Sequence, residues 1–239
     1  MKISLLMTIF AILFSHTVFS QNLESQLKER REAANEGRNV EAREDMREGV
    51  EKLRASGLHE RALKMKGKHV PALVFKFEDG SVKNISEFYA DGPIVLNFYR
   101  GGWCPYCMLE LQSYQAMKDK FNAAGAQIIA LAPDTYKEIA KTKRKFNLDY
   151  LVVSDTDNLM ARRMGIAFKV DAKTLKHYKK FGIDLKASQG NDEEMLPMPG
   201  TYVIDKEGII QYAYIDPDYT KRAEPGDVLS VVKKIGAKK

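Results

Sequence analysis

The pattern of apolar and polar positions divides the chain into three stretches of different character. After Met1-Lys2, residues 3–14 are predominantly apolar, interrupted by Ser4 and Thr8, and small side chains at Val18 and Ser20 precede Gln21. An apolar run of about 12 residues falls short of the roughly 20 that a spanning helix needs, so residues 1–20 read as an export leader cleaved after Ser20. No cysteine stands near that point, which argues against lipid attachment. Residues 21–65 are rich in Glu, Arg, Lys and Ala, with Leu27, Val50, Leu53, Leu58 and Leu63 loosely spaced. This predicts a charged helical arm docked on the following domain, divided into short helices at Gly37, Gly49 and Gly57; its thin apolar face leaves a partly disordered spacer as the alternative.

From Pro71 the pattern shortens to that of strands and compact helices. Residues 73–77 and 82–85 read as a hairpin turning at Asp79-Gly80. Residues 94–99 (Ile-Val-Leu-Asn-Phe-Tyr) are apolar enough for a strand buried on both faces. Leu111, Tyr114, Met117 and Phe121 mark a helix over 108–124 that ends at Gly125. A strand at 127–132, a helix at 136–146, a strand at 150–154 and a short helix at 158–164 follow. Residues 169–195 show no clear period and read as an insertion. Strands at 201–205 and 209–214, joined at Lys206-Glu207-Gly208, and a helix at 226–235 complete the chain. Alternating strands and helices predict an α/β domain over 66–239 with parallel central strands.

Charge changes the picture little. The formal net charge is +6, but basic and acidic residues are interleaved, the cluster at 141–145 reads as a solvated helix face, and a nucleic-acid partner is not expected. Past residue 20 nothing is apolar enough for stable membrane insertion, and from the export leader the expected location is periplasmic or secreted.

The cysteines change it most. The chain has two, Cys104 and Cys107, in Trp103-Cys104-Pro105-Tyr106-Cys107, between a predicted strand and a predicted helix. Unpaired N–H groups and the positive end of the dipole at a helix N-terminus stabilise a thiolate. A disulfide closing so short a loop removes little chain entropy, so redox chemistry is a better reading than a structural staple. A Cys-x-x-Cys pair is also half of a zinc site, but His59, His69 and His177 form no short ligand pairing, and no metal is expected. Two further residues bear on the pair. Arg100 stands four residues before the first thiol and offers a fixed charge that lowers a thiol pKa. Pro199, before the penultimate strand, reads either as a turn proline or as a cis proline exposing a backbone edge beside the sulfurs, where an extended substrate segment pairs.

The run from Val95 to Cys107, with Glu110 after it, resembles the peroxiredoxin-like branch of the alkyl hydroperoxide reductase and thiol-specific antioxidant family. So do Val152-Val153-Ser154-Asp155, the segment from Pro199 to Asp205, and Asp216-Pro217-Asp218-Tyr219-Thr220. The resemblance spans about residues 66–235. It implies a thioredoxin-like fold, a central mixed sheet flanked by helices, and a thiol-dependent peroxidase whose redox disulfide joins Cys104 and Cys107, supported by Arg100, Trp103, Pro105, Tyr106, Glu110 and Pro199. It implies an external, thioredoxin-like thiol reductant and no cofactor. It sets Cys107 at the peroxidatic position, Cys104 where a threonine usually stands and Arg100 where a proline does, and it sets Pro199 in place of an arginine, so two usual donors to the peroxide are missing. Three readings follow: a peroxidase in which Cys107 is oxidised and Cys104 resolves; a thioredoxin-like disulfide oxidoreductase in which Cys104, expected to be the more exposed sulfur, attacks; and a non-catalytic binding module recruiting a partner through the arm.

Overall fold

The computed structural model describes residues 22–37 and 40–237; the expected leader lies outside the described residues. Nine strands and ten helices are described, and five strands form the central sheet. Its order is β5 (Leu151–Ser154), β4 (Gln127–Ala132), β3 (Ile94–Phe98), β8 (Gly200–Ile204) and β9 (Ile210–Ile215). β3 runs parallel to β4, and β4 to β5, while β8 is antiparallel to both β3 and β9. The expected parallel centre therefore belongs to a mixed sheet.

Alternation along β3 explains the layers. Ile94, Leu96 and Phe98 enter one core, and Val95 and Tyr99 the other. The second face is covered by α5 (Pro105–Ala123), α6 (Tyr136–Phe146) and α10 (Pro225–Gly236). The first is covered by α7 (Leu159–Arg163), α3 (Leu58–Leu63) and the β1 (Val74–Lys76)/β2 (Val82–Asn84) hairpin. The predicted return strand ends one residue early, because Ile85 opens helix α4 (Ile85–Tyr89). There Asn84 N–H donates to Glu87 Oε1 at 2.7 Å in a reciprocal cap.

The segment before the domain is helical: α1 (Leu23–Gly37), α2 (Val40–Ala55) and α3. Gly37 and Gly57 end helices as expected, but Gly49 lies inside α2 and breaks nothing. A Cβ there would sit 2.7 Å from Asp171 Oδ2 and 3.0 Å from Thr174 Oγ1, so the glycine permits close packing rather than a turn. Residues 169–195 are also not aperiodic. They hold α8 (Ala172–Lys180) and α9 (Leu185–Gln189), flanked by the paired strands β6 (Ala167–Lys169) and β7 (Met195–Pro197). Asp171 caps α8 through Thr174 N–H, and Asp184 caps α9 through Ala187 N–H. Tyr178, Leu185 and Leu196 form a small third core with Met46 of α2.

The arm is fastened at two places. The first N–H groups of α1 donate to Glu224, at 3.3 Å from Leu23 and 3.2 Å from Glu24, and Leu23 and Leu27 are buried with residues of α5 and α10. His177 Nε2 lies 2.8 Å from Asp45 Oδ2, joining α8 to α2. Among the described residues no helix is long and apolar enough to cross a membrane.

Candidate active site

β3 delivers the chain to a loop that must turn tightly into α5. Gly101 makes the turn at φ 148°, where a side chain would be strained and would meet Trp103 Nε1 at 2.4 Å. Gly102 N–H donates to Asp134 Oδ2 at 2.7 Å, tying the loop to the end of β4. Burial raises the Asp134 carboxyl to about 7. Cys104 is then the N-cap of α5, with Pro105 at the first helical position and Cys107 in the first turn. The two sulfurs lie 2.6 Å apart as free thiols, and the Cys104 sulfur accepts from Cys107 N–H at 3.4 Å.

The expected difference in exposure is not found: Cys104 is 1% and Cys107 0% exposed. Aromatic packing seals both, as Tyr106 is buried and meets Tyr219 edge-on at 5.8 Å. Burial pushes the Cys104 thiol up, but the hydrogen bond from Cys107, the charges of Arg100 and Arg222 and the Cys107 N–H outweigh it and bring it down to about 6. Burial, together with that same neighbour, pushes Cys107 up, against the pull of the two arginines. The pair gives up one proton easily and holds the second strongly.

Beneath the sulfurs lies a fully buried polar network. Glu110, one turn beyond Cys107 on α5, accepts from Asn97 Nδ2 of β3 at 2.8 Å and pairs with Arg222 Nε at 2.6 Å. Arg222 also donates to Cys107 Sγ at 3.1 Å, and through Nη1 to the carbonyls of Tyr219 and Lys221. Burial raises the Glu110 carboxyl to about 7 despite the guanidinium beside it. Sequence reasoning missed Arg222, which stands two residues past the last family-like block. It also left the site short of a guanidinium. The position before β8 is Pro199, yet Arg222, on the segment following β9, supplies a guanidinium to Cys107.

Arg100 is 3% exposed. Its guanidinium carbon lies 4.3 Å from the Tyr219 ring centre, 4.9 Å from Trp103 and 5.5 Å from Tyr178, an aromatic cage rather than a surface position. Pro199 lines the same cavity as Arg100 and Tyr219, and of its two readings the cis one is not met: every described peptide is trans. The β6/β7 ladder and the bond from Met198 N–H to Ile166 O hold the approach to Pro199 extended, and the trans path continues that direction into β8. A possible cation-ligating group among the described residues, Glu41, Asp45 and His177, stands at the arm instead of the dithiol, where Lys176 and Lys173 already lie 3.4 and 3.5 Å from the two carboxylates.

The AhpC/TSA family matches residues 67–213. That is more than half of the chain, and the protein belongs to this family, in the peroxiredoxin class of thiol-dependent peroxidase oxidoreductases. Peroxiredoxin Q of Oryza sativa subsp. japonica, a chloroplastic protein, is 25% identical over 170 residues, covering 71% of this chain and 67% of its own. Peroxiredoxin Bcp of Bacillus subtilis is 31% identical over 142 residues, covering 59% and 79%. Among solved structures, peroxidoxin BcpB of Mycobacterium tuberculosis aligns with TM-score 0.54 at 20% identity, over 71% of this chain and 97% of its own. Peroxiredoxin Q of Xanthomonas campestris aligns with TM-score 0.52 at 20% identity, over 69% and 91%. These likenesses are of fold.

Proposed function

We propose that this protein reduces hydroperoxides through a disulfide cycle confined to Cys104 and Cys107. A thiolate attacks the outer peroxide oxygen; the O–O bond breaks, an alcohol or water leaves with a proton, and the sulfur becomes a sulfenic acid. The second thiol then displaces water from it to form the Cys104–Cys107 disulfide, and two electrons from an outside, thioredoxin-like thiol donor restore the pair. The observation that carries this reading is the Arg222 guanidinium 3.1 Å from Cys107 Sγ, a fixed positive charge where negative charge develops on the departing oxygen. It favours Cys107 as the sulfur oxidised: its thiol donates to the Cys104 thiolate 2.6 Å away and passes that proton across as it attacks, and Cys104 then acts as the resolver.

The test is mass spectrometry of Cys104→Ser after one equivalent of peroxide, with a sulfenic-acid trap present. The expected adduct is on Cys107; an unmodified Cys107 overturns the assignment. The disulfide oxidoreductase reading is favoured by a different observation, the lowered thiol of Cys104 at a helix N-cap. It expects Cys104→Ser to abolish reduction of a protein disulfide while peroxide turnover is absent in the wild type.

Export is part of the same proposal. It is supported by the apolar run at 3–14 and the small residues at Val18 and Ser20. Intact mass of the protein from an envelope fraction should begin at Gln21, and a retained Met1 sinks this part alone.

A further inference from the structure

Between the arm and the sheet domain lies a cavity of about 430 Å³. Met46, Val50 and Leu53 of α2 form one wall, and Phe168 and Val170 stand across from them. A volume of this size with a mostly apolar lining suits a small organic ligand. Into the same cavity faces Arg100, nine-tenths buried and more. Among the described residues its guanidinium has no carboxylate partner and no hydrogen bond, and its Nε is buried and unmet. Three aromatic rings cover its faces, which leaves the donor edges as the unmet part. Of the other charged residues on the wall, Lys52 is paired with Glu48 at 2.6 Å and Asp171 accepts from Thr174 through both N–H and hydroxyl, which leaves Arg100 as the buried charge with open donors.

A buried cation without a partner is costly, and a planar guanidinium edge matches a carboxylate through two parallel hydrogen bonds. We propose that this cavity binds an unbranched monocarboxylic acid of medium chain length, with its carboxylate on Arg100 and its tail along Val50 and Leu53, and that occupancy slows the reaction of the dithiol. The second effect follows from charge. A bound carboxylate partly cancels the Arg100 field that favours the thiolate. Binding itself is independent of the peroxidase reading, because it is measured without peroxide and without turnover.

The chain has a single tryptophan, Trp103, stacked on Arg100, so its fluorescence reports the site. Titration of the full reduced protein with decanoate should give a saturable change. Methyl decanoate and acetate should bind about tenfold or more weakly, since one lacks the charge and the other the tail. Val50→Phe, which fills the tail wall without adding a charge, should weaken decanoate binding about tenfold or more. Saturating decanoate should slow alkylation by iodoacetamide about threefold in the wild type, and the same decanoate concentration should slow Val50→Phe much less. Equal affinity for the ester, undiminished binding in Val50→Phe, or no saturable signal each overturns the proposal. A short apolar peptide with a free C-terminus that binds more tightly than decanoate reassigns the site to protein ends and also overturns it. Arg100→Lys keeps the charge but loses the fork, and should retain the fold while weakening decanoate severalfold.

Discussion

Arg222 spends its whole guanidinium inside the protein, on one carboxylate, one sulfur and two carbonyls. Arg222→Lys keeps a charge but gives up the fork, and should lower peroxide turnover about a hundredfold in a coupled assay. Arg222→Met leaves Glu110 buried and unpaired, at a cost of about 3–5 kcal/mol in denaturant unfolding at neutral pH, most of which the double change with Glu110→Gln should restore. Glu110 also sets a pH dependence. Its folded pKa is raised from the ordinary 4.5 to about 7, so the folded chain holds a proton that the unfolded chain has already lost. The stability this contributes is full below about pH 4.5 and lost as pH rises through about 7. Glu110→Gln should flatten the fall across that window by about 3 kcal/mol, measured as unfolding free energy at several pH values. The thiol works in the opposite sense, since a pKa lowered to about 6 makes alkylation by a neutral reagent climb as pH rises through 6. At this scale Cys104, Cys107, Arg100 and Glu110 were legible because they lie within eleven residues of one strand–helix junction. Arg222 was not, because its partner is 112 positions away and a lone arginine among turn residues carries no period.

The elements divide by how much of their core is local. β3 was readable from its own side chains, because both of its faces are buried. So was α6, whose ends at Tyr136 and Phe146 match the expected span. The stretch at 169–195 was not, since α8 and α9 are short and their apolar residues pack against Met46 and Val170 in a core that exists only once α2 arrives. The Asp caps of both helices were the available local signal. Gly49 was misread for a related reason: glycine inside a helix looks like a break until the neighbour that needs the space is known. Gly49→Leu should therefore destabilise by about 1–3 kcal/mol in thermal or chemical unfolding, despite a gain in helix propensity, because the cap at Asp171 has to move.

Seen whole, the molecule holds its dithiol under an aromatic layer that the arm keeps in place: Tyr219 covers Arg100, meets Tyr106, and bonds through its hydroxyl to Met46 Sδ at 3.5 Å. Removal of residues 22–57 should speed the reaction of the sulfurs with a bulky disulfide reagent about tenfold or more, while a small alkylating agent gains much less; equal gains for both reagents would show that the arm does not screen the pair. The same fastening has a consequence for biosynthesis. The first turn of α1 is met by Glu224, some two hundred positions later in the chain, and β3 pairs with β8 across a separation of about a hundred. A growing polypeptide therefore cannot complete either half of its core until nearly all of it has been synthesised, and the ribosome releases it still uncommitted to its final shape.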